Sequence, residues 1–183
     1  MITDGQYEIY STSKLMWAGK KTLVVDYVDT GSIMVKTGSF TVASSSIKTG
    51  EVVFDMNSIN SDQTPNTKAT LADLTKHLKS ADWFDVAKYP TAKFMIKEVV
   101  MAEDGTLLAG GSLTIKDKTV DISVPLMVTD ATIDTVTMSG KTTIDRTLWG
   151  ITYGSGKFFQ DLGDKVIADD IEIEFNLSAK LVK

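Results

Sequence analysis

For most of its length the chain alternates apolar and polar residues, the period-two signature of strands with one covered and one wet face. The stretch from Tyr7 to Trp17 suits a first strand, Leu15 and Trp17 facing one way and Lys14 and Met16 the other, and Gly19-Lys20-Lys21 breaks it. Ile33 and Val35, then Phe40 and Val42, predict a strand with a bulge at Gly38. Lys48-Thr49-Gly50 reads as a turn, and in Glu51 to Ile59 the set Val52, Phe54 and Met56 shares a face. Ser58 to Asn66 reads as a polar loop. Ala92, Phe94 and Ile96 alternate with lysines, and Asp104-Gly105 marks a hairpin. Gly111, Leu113 and Ile115 lead through the turn Lys116-Asp117-Lys118 to Val120, Ile122, Val124 and Leu126, where Pro125 denies one ladder donor. Val136, Met138, Gly140, Thr142 and Ile144 form a further face, and Ile171, Ile173, Phe175 and Leu177 against Glu172, Glu174 and Asn176 make the last strand.

One segment departs from this rhythm. Leu71, Leu74 and Leu78, spaced by three and four, fall on one stripe of an α-helix predicted over about 68–79. Thr70 with Asp73 offers a weak capping box, Ser80 a stop with a short helical turn after it, and Pro90 forbids helix. Adjacent Trp83 and Phe84 are too large and apolar to be left in water without a reason. About eight one-sided strands, joined mostly by short turns and interrupted by one helix, describe an all-β protein, an antiparallel barrel or sandwich. A barrel is the better fit, since closure removes edges that this sequence does little to blunt. No repeat or linker divides residues 1–183, so a single domain is expected.

Charge and composition narrow the chemistry. A net charge of −5 without a basic patch argues against a nucleic-acid surface, and the absence of cysteine excludes disulfides and thiolate chemistry. The sequence carries no apolar run long enough for a transmembrane helix and no signal-peptide pattern, so neither is expected. His77 is the sole histidine and sits among lysines, which leaves no histidine metal cluster and no serine-histidine arrangement. Asp161 with Asp164 and Asp169-Asp170 read as turn carboxylates rather than a calcium site. Asp145-Arg146 reads as a charge pair fixing the loop that bears Trp149. Gly154-Ser155-Gly156-Lys157 lacks the spacing and setting of a phosphate loop. No catalytic residue and no metal site is assigned. What remains is apolar surface, and an eight-stranded barrel is just wide enough to be filled by its own side chains or to hold one ligand. Three features point to a cavity: Gly19, Gly31, Gly111 and Gly140 in or beside strands, where small residues leave room; the apolar layer of the helix; and Trp83, Phe84, Trp149, Phe158 and Phe159 as rim groups.

The run from His77 to Phe94, with Ser80-Ala81-Asp82-Trp83-Phe84 and then Tyr89-Pro90, resembles the signature of the YceI-like family. Further similarity covers nearly the whole chain: Ser13 to Trp17, Asp55-Met56-Asn57-Ser58-Ile59, Gly111 to Lys116, Ile144-Asp145-Arg146-Thr147-Leu148-Trp149-Gly150-Ile151, and Asp169 to Leu177. The resemblance implies an extended, lipocalin-like antiparallel eight-stranded barrel with a long tunnel for an isoprenoid chain, such as a polyprenyl or quinone tail, or for another long amphiphile. It also implies export to the periplasm, as is common among members. No further cofactor is required, and a homodimer is compatible with the resemblance. Two departures stand out. Asp29 lies where relatives often carry histidine, which removes any headgroup contact made by that histidine, and Asp117-Lys118-Thr119 replaces a Gly-Val-Thr turn.

The expected activity is non-enzymatic binding, storage or transport of such a lipid. Each methylene removed from water contributes roughly 0.8 kcal/mol, so a dozen carbons give about 10 kcal/mol before the costs of ordering. Strand alternation and the resemblance together assign the tunnel lining to Trp17, Ile33, Val35, Phe54, Met56, Phe94, Ile96, Leu113, Ile115, Ile122, Val124, Met138, Ile144, Ile173 and Phe175, with Leu71, Leu74, Leu78 and Phe84 beneath the helix and Trp149 and Phe158 at the mouth. The alternatives are an enzyme acting on a small apolar substrate, which requires an ionisable group facing the cavity, and a stress-response interaction module with a filled barrel.

Overall fold

The computed structural model describes residues 2–182. Its strands are β1 (Gly5–Ile9), β2 (Lys14–Lys21), β3 (Val28–Ala43), β4 (Ser46–Gln63), β5 (Thr91–Met101), β6 (Leu107–Ile115), β7 (Lys118–Ala131), β8 (Thr135–Asp145) and β9 (Ile167–Leu181), with α1 (Leu71–Lys79) between β4 and β5. All pairings are antiparallel: sequential from β4 to β9, then β9 to β2, β2 to β3 and β3 to β4, which closes the wall. The wall is a closed eight-stranded barrel with one extra strand. The extra strand arises because the expected first strand is split by a turn in which Ser13 N donates to Tyr10 O, 2.9 Å. β1 and β2 then fill one wall position end to end. β2 pairs with Lys14–Lys20 against Val28–Met34 of β3, and β1 with the far end of β3 at Ser39–Val42.

Several turn signals prove to be bulges or close approaches. β4 runs through Lys48-Thr49-Gly50, where the β3–β4 register steps from Thr41–Thr49 to Val42–Ile47 and leaves Lys48 over. Gly50 is required by proximity, since a Cβ there would lie 2.7 Å from Ser39 O. The chain instead turns at Ser44-Ser45, both at positive φ (52° and 56°), the geometry of a tight two-residue hairpin. The bulge expected at Gly38 is at Lys36, between the pairs Val35–Phe54 and Thr37–Val53. It changes the inward parity of β3 from Ile33 and Val35 to Phe40 and Val42.

The polar run Ser58 to Gln63 is strand rather than loop. Its side chains bridge a broken stretch of ladder, Met34 N donating to Ser58 Oγ (2.8 Å) and Ser32 N to Asn60 Oδ1 (3.2 Å). Those bonds satisfy partly buried amides that the bulged register leaves over.

α1 starts where its cap dictates. Asp73 N donates to Thr70 Oγ1 and Thr70 N to Asp73 Oδ2, a complete capping box, and Ser80 ends the helix. The helix lies against β4, tied by Ser61 N to Thr75 Oγ1 (2.9 Å) and Lys79 Nζ to Asn57 O (2.7 Å). Leu78 is buried beneath it and contributes about 1.5–3 kcal/mol by its removal from water. Pro125 causes little disruption because the β7–β8 ladder covers only Met127–Ala131 on the β7 side. Core side chains form two clusters, one around Tyr7, Phe40, Val52 and Leu177, the other around Trp17, Met56, Leu78, Trp83 and Trp149.

Candidate ligand cavity

The lumen between those clusters is not filled. It holds two chambers, one of about 100 Å³ and one of about 350 Å³. Leu15, Phe54, Leu113, Ile144 and Ile173 line both, so a single waist of apolar side chains separates them. The smaller chamber is lined by Phe94, Ile96, Ile122, Val124, Met138 and Phe175 and by Ile9, Phe40, Ile47, Val52, Ala109, Leu126, Thr142 and Leu177, with Thr142 the one polar side chain. The larger is walled by Trp17, Ile33, Met56, Ile59, Leu74, Leu78, Phe84, Ala92, Ile115, Ile151, Ile167 and Ile171, and carries the polar groups Lys20, Lys21, Tyr27, Asp29, Asn66, His77, Arg146, Tyr153 and Lys165 as well as Trp83. Its volume falls in the range of roughly 300–1,000 Å³ usual for small-molecule sites.

The glycines keep this lumen open in a way opposite to the one expected from their size alone. A Cβ on Gly31 would lie 1.9 Å from Asn60 O and 2.5 Å from Cζ2 of Trp17; one on Gly140 would lie 2.2 Å from Pro125 O and 2.4 Å from Cζ of Phe175. Gly31 pairs with Trp17 and Gly140 with Phe175 on the neighbouring strands. These glycines are seats over which aromatic rings lie against the wall, as in the packing of an aromatic onto a cross-strand glycine. A ring lying along the wall leaves the lumen to something else.

One end of the larger chamber is built by the segment after β8. Arg146, 2% exposed, donates from Nε to Ala168 O (3.0 Å), from Nη1 to Ile151 O (2.8 Å) and from Nη2 to Ile167 O (3.2 Å). Its guanidinium lies 4.9 Å from the centroid of the Trp83 ring, a cation–π contact. Burial lowers its pKa, against the opposing charges of Asp169 and Asp145, but an arginine keeps its charge in any such setting. The expected Asp145–Arg146 pair does not form. Arg146 faces Asp169 at 3.6 Å, while Lys157 bridges Asp145 (2.9 Å) and Asp169 (3.1 Å). Trp149, 1% exposed, is no mouth residue, because its Nε1 donates to Leu113 O of β6 at 3.0 Å. Phe158 is 56% exposed and lines neither chamber.

Of the other expected lining residues, Val35 is packed in the core cluster and Leu71 points to solvent at the start of α1. The remainder line one chamber or both. Leu15 and Ile171, in phase with Trp17 and Ile173, were available from alternation alone. Ile151 and Tyr153 were not, since an irregular segment places them.

His77 stands at the edge of the larger chamber, its ring perpendicular to that of Tyr153 at 4.6 Å and its Nε2 3.7 Å from Asp82. Asp29, on β3, is the one acid in the wall. Burial raises its pKa above the usual carboxylate value, against a Thr64 hydrogen bond and the charge of Lys21, which lower it. Among the described residues no group of three or more His, Cys, Asp or Glu could hold a metal ion, and no helix is long and apolar enough to cross a membrane.

The same architecture occurs in solved structures. A polyisoprenoid binding domain from Saccharophagus degradans, implicated in plant cell wall breakdown, is 16% identical, with 96% of this chain and 98% of that one covered and a TM-score of 0.70. Burkholderia cenocepacia BcnA is 23% identical over 91% of this chain and 95% of its own, with a TM-score of 0.63. The Campylobacter jejuni YceI protein is 20% identical over 90% and 85%, with a TM-score of 0.59. At these identities the likeness establishes the fold. No curated protein matches the chain. The YceI-like domain, however, matches residues 8–179, and the chain belongs to the YceI-like family.

Proposed function

We propose that this protein is a non-enzymatic carrier that sequesters one long-chain isoprenoid or comparable amphiphile, tail inward, in the barrel lumen. The observation that carries the proposal is the pair of chambers sharing an apolar waist, a shape suited to a thin flexible chain rather than a compact substrate. A tail there leaves water at both chambers, each methylene contributing roughly 0.8 kcal/mol before ordering costs. The polyisoprenoid binding domain of the same fold supports the choice of an isoprenoid. Membership of a family whose proteins are commonly exported supports a periplasmic place of work, which fractionation of expressing cells tests.

Asp29 lends some support to the rival reading, an enzyme on a small apolar substrate, because it is an ionisable group in the chamber wall. We prefer the carrier, because two apolar chambers joined at a waist suit a long thin chain better than a small compact substrate. Organic extraction of the purified protein followed by mass analysis is the test. A long-chain lipid at near-stoichiometric yield, lost in Ile122→Asp while the barrel still folds, is the expected result. Failure to extract a lipid, together with failure to bind added polyprenol, overturns the proposal.

A further inference from the structure

Two buried donors and one buried acceptor in the larger chamber meet no hydrogen-bond partner in the protein: Nε1 of Trp17, Nε1 of Trp83 and Oδ1 of Asp29. Both indoles are more than nine-tenths buried, at 9% and 7% exposure. Leaving such groups unpaired costs about 1–3 kcal/mol each, so a chamber built only for hydrocarbon has no reason to hold them. Two donors and one acceptor are the hydrogen-bond complement of a hydroxyl group, which has two lone pairs and one proton.

Register brings two of the three together. Trp17 pairs with Gly31 and Gly19 with Asp29 across β2 and β3, so Trp17 and Asp29 are diagonal neighbours on the inner face. Such neighbours have Cα atoms about 7–8 Å apart, within reach of long side chains. The indole also leans toward β3, since a Cβ on Gly31 would lie 2.6 Å from Cε2, the ring atom that bears Nε1. One oxygen accepting from an N–H at about 2.9 Å and donating to a carboxylate oxygen at about 2.7 Å spans a gap of roughly 5 Å.

We propose, resting on the carrier reading above, that the larger chamber is a headgroup site for an uncharged alcohol, its oxygen accepting from Trp17 Nε1 and its proton donated to Asp29 Oδ1. The ligand class is then a long-chain alcohol in preference to its phosphate ester. An anionic head would meet the Asp29 carboxylate, while the cations around the chamber are largely engaged. Lys20 pairs with Glu172, the Arg146 guanidinium is spent on three backbone carbonyls, and Lys21 lies over the Tyr27 ring at 4.5 Å. Lys165, with the still-charged Lys21, remains as the cation that an anionic head would use.

The test holds the tail constant and changes the head: geranylgeraniol, its methyl ether and its monophosphate, each titrated into delipidated protein. The alcohol is expected to bind about ten- to a hundredfold more tightly than the ether, the worth of one hydrogen bond to a charged group, and more tightly than the phosphate. Asp29→Leu should bring alcohol and ether together without abolishing either. Trp17→Phe should weaken the alcohol more than a control substitution, Leu71→Ala, outside the chambers. Asp29→Asn, which keeps the shape and folds if the leucine variant does not, should close the gap between phosphate and alcohol. Equal binding of all three compounds by the wild-type protein overturns the headgroup proposal and leaves the carrier intact. Tightest binding by the phosphate overturns it in favour of an anion site at Lys165. Binding of none overturns the carrier as well.

Discussion

A plug at the waist tests whether one tail occupies both chambers. Ile173 lines both and is only partly buried, so in Ile173→Trp the added ring has open lumen to enter. The smaller chamber, about 100 Å³, takes about three methylenes if each occupies roughly the 30 Å³ of a water molecule. At roughly 0.8 kcal/mol per methylene the plug forfeits a little over 2 kcal/mol, or roughly fiftyfold in Kd, for any tail long enough to reach it. Shorter tails, housed in the larger chamber, should lose much less. The assay is calorimetric titration of a homologous series of unbranched alcohols into both proteins. The wild type should gain roughly fourfold per methylene until both chambers are full, and the variant should follow the same slope and level off about three carbons earlier. Parallel curves with a common plateau would show that the tail never passes the waist, and the reasoning from shared lining residues would fail.

Other consequences follow from particular contacts. Arg146→Met leaves three carbonyls without their donor, and Asp169 with Lys157 alone, and should cost about 3–5 kcal/mol in urea unfolding. Trp149→Phe loses the bond to Leu113 O and should cost about 1–3 kcal/mol. Gly31→Ala forces backbone and the Trp17 ring apart and should destabilise by about 1–3 kcal/mol while moving tryptophan fluorescence. Because burial raises the pKa of Asp29, the folded state binds the proton more tightly than the unfolded chain, so this group's contribution to stability falls as pH rises from the ordinary carboxylate value through the raised one. Asp29→Asn should remove that slope and be the more stable protein at neutral pH, as denaturant titrations at several pH values would show.

Much of this was legible in the sequence because one-sided strands advertise their faces. Phe54 with Met56, Leu113 with Ile115, and Ile122 with Val124 all line the lumen as alternation expects. Alternation fails where the ladder is irregular. Lys36 and Lys48 are extra residues whose bulges no local signal marks, and a strand reading through Gly50 looks like a turn because glycine serves close approach as readily as a bend. Trp149 was misplaced for a related reason. Nothing local in Leu148-Trp149-Gly150 tells which large side chain turns inward; Gly150 in the left-handed region (φ 73°) and the Arg146 clamp settle it, and Leu148 ends up 53% exposed. The polar wall of the larger chamber was the least legible part, since Asp29, Asn66, His77 and Lys165 come from four separate segments that only the closed barrel brings to one space.

A hollow interior of this size opposes folding. At about 24 cal/mol per Å³, the cavity coefficient measured for buried apolar sites, the apolar smaller chamber of about 100 Å³ alone forgoes on the order of 2 kcal/mol relative to a filled core. That is a sizeable fraction of the net stability of an ordinary domain, about 5–15 kcal/mol. The large side chains that could have filled it are present but seated elsewhere: Trp17 and Phe175 lie over Gly31 and Gly140, and Trp149 is bonded to Leu113 O. Each arrangement needs a particular partner, a glycine on the facing strand or a carbonyl at one distance, and none of them adds apolar volume to the lumen. The wall compensates with long ladders, 16 residues in β3 and 18 in β4, and with the buried Arg146 clamp between β9 and the segment after β8. Space held open against such a cost, by contacts this specific, is the physical ground for regarding the lumen as a binding site, because a tail that fills it returns to the fold part of what the empty volume withholds.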